Sequence, residues 1–142
     1  MSATWTPIYT RWRHGGWYVS NLQYPNGAIG CVSNNYDDKK WRIACDSRDG
    51  DFTYPTREAA ARAEFEIVRR EHEALGPWLA GLDDPQLRFS AVTIFERIAA
   101  KPGEDMEALL ADVIRIRGVD ASCLRDLGIR YRDSLLKQAA LA

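Results

Sequence analysis

Histidine and cysteine are scarce in this chain, and no apolar run extends beyond a few residues before Arg, Asp or Glu breaks it. Each scarcity excludes a class of protein. A membrane-crossing helix needs about 20 mostly apolar residues, and none is present. The start, Met-Ser-Ala-Thr-Trp-Thr-Pro, has neither the basic residues nor the apolar stretch of a secretory signal, which leads to the expectation of a cytoplasmic protein. Three cysteines, Cys31, Cys45 and Cys123, do not make a disulfide framework in 142 residues. Cys31 and Cys45 fall in predicted strands and are expected as reduced core thiols, because a free cysteine behaves as a small buried hydrophobe.

With two histidines, His14 and His72, any zinc or acid–base site would have to use one of them. There is no Cys-x-x-Cys, no His-Glu-x-x-His and no histidine pair at helical spacing. His14 sits beside two glycines and is read as a solvated turn residue. His72 is placed on a helix stripe as a partly buried one. The run Asp46-Ser47-Arg48-Asp49-Gly50-Asp51 has its glycine one place too early for a calcium loop, and Arg57 stands where the bidentate Glu would be. A solvated acidic turn is the better reading. Phosphate-cradling lysine loops, dinucleotide fingerprints and Gly-x-Ser-x-Gly elbows are also missing, so no cofactor and no catalytic residue is implied. Charge of one sign is lacking too. Nineteen Lys and Arg face twenty Asp and Glu, far from the basic excess of a typical nucleic-acid-binding domain.

Aromatic residues, in contrast, are abundant at one end. Ten of the fifteen lie before Thr56. Aromatic and β-branched residues suit a pleated, half-buried surface. Strands are predicted over Ile8–Arg13 and Trp17–Leu22, turning at His14-Gly15-Gly16, then over Ala28–Ser33 after Pro25-Asn26-Gly27, then over Lys40–Asp46. Alternation puts Trp17, Val19, Trp41, Ile43 and Cys45 in the core and Tyr18, Ser20, Leu22, Lys40 and Arg42 on the opposite face. Thr56 caps a helix whose stripe is Ala61, Phe65, Val68, His72 and Leu75, stopped by Gly76-Pro77. Further helices are predicted from Asp84-Pro85 to Ala100, over Glu104–Arg117, and over about Tyr131–Ala140, with a short piece at Ala121–Leu127. The fold class is therefore α+β: an antiparallel sheet of three or more strands packed on a helix, then a helical bundle. The expected organisation is a β-β-β-α module over residues 1–76 and a helical region over 77–142 packed on it as one unit.

Two segments interleave basic and aromatic residues, Arg11-Trp12-Arg13-His14 and Lys39-Lys40-Trp41-Arg42. Such surfaces suit protein interfaces, where Trp, Tyr and Arg carry much of the binding energy. They also suit phosphates with stacked bases. The plainer reading makes Trp12 and Trp41 core residues. The order Gly16-Trp17-Tyr18-Val19, Lys40-Trp41-Arg42-Ile43, Gly50-Asp51-Phe52 and Pro55-Thr56-Arg57-Glu58-Ala59-Ala60 resembles, in topology, the AP2-type and integrase-arm DNA-binding domains. That resemblance spans residues 9–64 and implies that Arg11, Arg13, Lys40 and Arg42 would contact DNA from the sheet's outer face.

The leading expectation is a non-enzymatic accessory, regulatory or inhibitor protein, of the kind mobile elements encode, acting on a protein partner. Its binding residues would be Arg11, Trp12, Arg13, Tyr18, Lys40 and Arg42. Nucleic-acid binding by the same face is the alternative, and a small enzyme with an unmarked carboxylate site the third. Homodimerisation through a sheet edge or helix face is open to all three.

Overall fold

A computed structural model of the chain describes residues 5–141. It is α+β: four antiparallel strands, β1 (Tyr9–Trp12), β2 (Gly16–Gln23), β3 (Ile29–Ser33) and β4 (Arg42–Ile43), precede four helices. The helices are α1 (Arg57–Leu79), α2 (Pro85–Ala100), α3 (Met106–Arg117) and α4 (Arg125–Leu141). The sheet order is β1-β2-β3-β4, each strand beside its sequence neighbour, as short connections favour. The chain forms two compact units. The first takes the chain to Tyr24 together with Ala28–Glu73; the second takes Pro25–Gly27 together with everything from Ala74. No helix among the described residues is long and apolar enough to cross a membrane.

In the first unit Val19, Leu22 and Val32 meet Ala60, Ala61 and Val68 of α1, with Trp17, Trp41 and Phe65 half-buried around them. Leu22 corrects the expected facing. The pairing of β2 with β3 shifts register between Val19 and Gln23, so Leu22 turns to the same side as Val19. Asn21 then faces the chain entering β1, accepting from Ile8 N (3.0 Å) and donating to Thr6 O (2.9 Å). Cys45 is a second correction, for it is exposed while Cys31 is buried. β4 is shorter than expected: Ala44 N still donates to Cys31 O, but Asp46 N then donates to Ile43 O and turns the chain out of the sheet. Trp41 pairs instead with Tyr54 in a single bridge.

Helix α1 also departs from expectation. Pro77 lies inside it rather than ending it. Proline costs a helix one hydrogen bond at the carbonyl four residues back, here Glu73, which is exposed and can bond to water. His72 is exposed rather than on the stripe, and its ring N–H donates to Gln23 O at 2.7 Å. The stripe position the sequence reading omitted is Glu64, only 1% exposed. Tyr24 Oη donates to its Oε2 at 2.6 Å and Cys31 N to its Oε1 at 3.0 Å. Gly30 makes room for it: a Cβ there would stand 2.8 Å from Glu64 Oε1.

The second unit is helical with an aliphatic and aromatic core of Leu79, Ile94, Phe95, Ile98, Leu109, Val113 and Tyr131. Asp84 caps α2 by accepting from Gln86 N and Leu87 N, and Asp105 caps α3 by accepting from Ala108 N. Helix α4 begins at Arg125, directly after a 3-10 turn at Ser122–Leu124, not at Tyr131. Gly128 is within it and serves packing: a Cβ would meet Met106 Sδ at 3.2 Å.

Candidate interaction surface

The face of the sheet away from α1 is built by alternation. Thr10, Tyr18 and Cys31 are cross-strand partners on one side; Tyr9, Val19 and Gly30 are partners on the other. Trp12 belongs to the outer side. Its ring lies on Gly16, where a Cβ would come within 2.8 Å, and it meets the Tyr18 ring at 6.1 Å and the His14 ring at 5.1 Å between centroids. Arg11, Trp12, Arg13, His14 and Tyr18 line an open depression of about 340 Å³. A second, about 500 Å³, is lined by Thr10, Tyr18, Ser20 and Ile29. Tyr18 borders both, making one continuous strip. Its apolar members are well exposed, Ile29 by 40% and Tyr18 by 38%, and Ile8, bonded to Ser20 through its main chain, is 60% exposed. A small-molecule site usually encloses its ligand; these depressions are open and suit a surface laid against them.

The structure brings four of the six sequence-derived residues together, Arg11, Trp12, Arg13 and Tyr18. It separates the other two. Arg42 lies on β4, the opposite edge from β1, and its guanidinium donates to Asp38 Oδ1 and Oδ2 (both 2.8 Å) and to Asp51 Oδ1 (2.8 Å) and Oδ2 (3.0 Å). These charge-assisted bonds hold the Asp38 carboxyl well below the usual range. Arg42 also stacks over the Tyr36 ring, 4.9 Å from its centroid. Lys40 is exposed nearby, and its main-chain N donates to Asp38 Oδ1. Arg48 is similarly taken up by Asp46, at 2.6 Å, and lies over the Phe52 ring. The expected acidic turn is thus partly a set of counter-ions for its own arginines.

Arg11 has a different environment. By alternation it is on the α1 side of β1, and its guanidinium lies over the Trp17 ring at 5.4 Å. Arg57, from the first turn of α1, lies over the same ring at 4.8 Å and over Tyr9 at 3.8 Å. Sequence reasoning missed Arg57 and Ile29 as surface residues, and left His14 out of the binding set. His14 was set aside as a turn histidine, which it is, yet the tightness of the turn puts its ring beside Trp12. Arg57 carried a usable signal, a cation in the first turn of a helix where the dipole favours an anion.

Glu64 has the raised pKa that proton-transfer chemistry uses. Burial lifts its carboxyl to about 7, against the opposing effect of the bonds from Tyr24 and Cys31 N. Both oxygens are engaged within the fold, and Glu64 lines neither depression. Among the described residues no group of three or more His, Cys, Asp or Glu side chains is placed to hold a metal ion. Comparison with protein-family models, with curated proteins and with solved structures finds no match for this chain.

Proposed function

We propose that this chain is a non-enzymatic accessory, regulatory or inhibitor protein that binds another protein through the outer face of its sheet. The observation that carries the reading is the exposed strip of Tyr18 and Ile29, bordered by Trp12, with the exposed Ile8 bonded to Ser20 of the same strip. Exposed apolar side chains in a continuous patch mark interfaces, and aromatic residues at the centre of such a patch supply most of the affinity. Nucleic-acid binding by the face as a whole receives less support. Of the four basic residues implied as DNA contacts, Arg42 is neutralised by Asp38 and Asp51 and the Arg11 guanidinium is held over the Trp17 ring.

The test is affinity capture from the native host at low and high salt, with the unaltered chain and a Tyr18→Asp, Ile29→Lys double variant side by side. The reading expects a defined protein retained at high salt by the unaltered chain and lost by the variant. Capture that is abolished by nuclease, or that the double variant leaves unchanged, overturns it. If the partner is a second copy, sedimentation shows association that the same variant removes.

A further inference from the structure

The strip ends at a sheet edge. β1 pairs with β2 alone, in the register Tyr9↔Val19, Thr10↔Tyr18, Arg11↔Trp17. Ser20 N donates to Ile8 O, and Trp12 O accepts from Gly15 N. In an antiparallel ladder the inward-bonded residues alternate, so Ile8, Thr10 and Trp12 bond towards β2. Tyr9 and Arg11 therefore direct their N–H and C=O groups away from the sheet. Among the described residues no hydrogen bond from another element reaches the main chain of either.

The charge along this edge is mainly positive. Arg11 and Arg57 lie over Trp17, Arg57 also over Tyr9, and Arg13 follows in the turn. Arg62 is also near Tyr9, held by Trp5 O at 3.0 Å. The acidic group beside Tyr9 is Glu58, 3.7 Å from Arg62. Guanidiniums stacked on rings keep their N–H edges free for carboxylates. On the opposite side of the same strand, Thr10 and Trp12 continue the outer strip.

We infer that the β1 edge receives an extended segment of the partner protein as a fifth strand, with side chains alternating acidic and apolar. This rests on the protein-binding reading above and names the chemistry of its partner. The acidic side chains fall beside Arg11 and Arg57, the apolar ones beside Trp12 and Thr10. A strand edge offers donors and acceptors in alternation, which a peptide backbone matches and a phosphate backbone does not. An arginine-bearing edge also discourages pairing with other copies of itself, so its charge selects an acidic strand.

The probe is a fluorescent peptide of alternating Glu and Val, longer than β1 by a residue at each end, titrated into the full chain. Three comparison ligands go with it: a Lys/Val peptide, a Glu/Val peptide N-methylated at the amides that would face β1, and a single-stranded oligonucleotide of equal charge. The Glu/Val peptide is expected to bind and to slow hydrogen exchange at the Tyr9 and Arg11 amides. Arg11→Glu is expected to weaken it about tenfold or more and to favour the Lys/Val peptide. Any one of four results overturns the inference: no binding at millimolar peptide, unchanged exchange at Tyr9 and Arg11, equal binding of the N-methylated peptide, or tighter binding of the oligonucleotide. If capture of the native partner still depends on Tyr18 and Ile29 while the peptide fails, the edge is wrong and the outer-face reading stands. If capture is also indifferent to Tyr18 and Ile29, both fall.

Discussion

In the helical unit Phe95, Ile94, Ile98, Leu109 and Val113 are all but completely buried against one another, whereas in the sheet unit the small residues Val19, Val32, Ala60 and Ala61 share their interior with Glu64. One unit excludes water by volume of apolar side chain. The other has a smaller apolar centre, closed by a carboxylate on two donors and by rings that arginines cover from outside. The difference teaches that a carboxylate closes the interior of the sheet unit and not the apolar core of the helical one, and that the sheet unit also carries the exposed strip.

The largest expected effect tests the apolar side. Phe95 stacks on Tyr131 with centroids 4.4 Å apart and meets Trp78 at 6.5 Å. Phe95→Ala is expected to cost about 3–5 kcal/mol in chemical denaturation, the range for emptying an aromatic core position. The cost should be the same at pH 5 and pH 8, since none of these neighbours titrates there. A pH-dependent loss would erase the contrast between the units.

Glu64 tests the polar side. Its folded pKa is raised, from the ordinary 4.5 to about 7, so the folded state binds the proton more tightly than the unfolded state. Stability from this group is therefore greatest below pH 4.5 and declines as pH rises through 7. Tyr24 and Cys31 N face the carboxyl directly, and Asp46 adds a repulsion that favours protonation. Glu64→Gln keeps an oxygen for Cys31 N and removes the ionisation. Relative to the unaltered chain, the Gln variant is expected to gain roughly 3 kcal/mol in unfolding free energy between pH 4 and pH 8. Parallel stability profiles for the two proteins would show that Glu64 is ionised at no cost.

How much of this contrast could be read from the sequence depends on where the signal is local. Asp84-Pro85, Lys101 and Gly118 marked the ends of α2 and α3 because capping is decided within a few residues, and the stripe of Ile94, Phe95 and Ile98 followed from helical spacing. Glu64 was invisible because a charged residue on a stripe is normally its polar edge; only the Tyr24 hydroxyl, forty residues away, and the amide of Cys31 make it an interior group. Leu22 was assigned to the wrong face because strict alternation cannot register a shift in pairing. Trp12 was legible as a candidate surface residue from its interleaving with arginines, and Tyr18 from strand alternation. The capture of Arg42 by Asp38 and Asp51 was not, since it requires the loops on either side of β4 to converge.

A smaller effect comes from the helical unit's caps. Asp84 accepts from Gln86 N at 2.9 Å and Leu87 N at 3.3 Å. Asp84→Ala should cost about 1 kcal/mol, measured by urea titration. It should leave the hydrogen-exchange protection of Val19 and Val32 untouched. A matching loss at those two amides would mean the units unfold together.

The smallest stability change is expected where the largest functional one is proposed. Tyr18 and Ile29 are 38% and 40% exposed and lie outside the buried core of the sheet unit. Tyr18 meets Trp12 at the outer face, at 6.1 Å between ring centroids. Tyr18→Asp with Ile29→Lys should therefore move the unfolding free energy by no more than about 0.5 kcal/mol per site, as surface substitutions generally do. Denaturation of the double variant beside the unaltered chain measures this directly. A loss of several kcal/mol would make the strip part of the sheet unit's own closure. The aromatic surplus at this end of the chain would then be a packing device, and the contrast between the units would lie in their interiors alone.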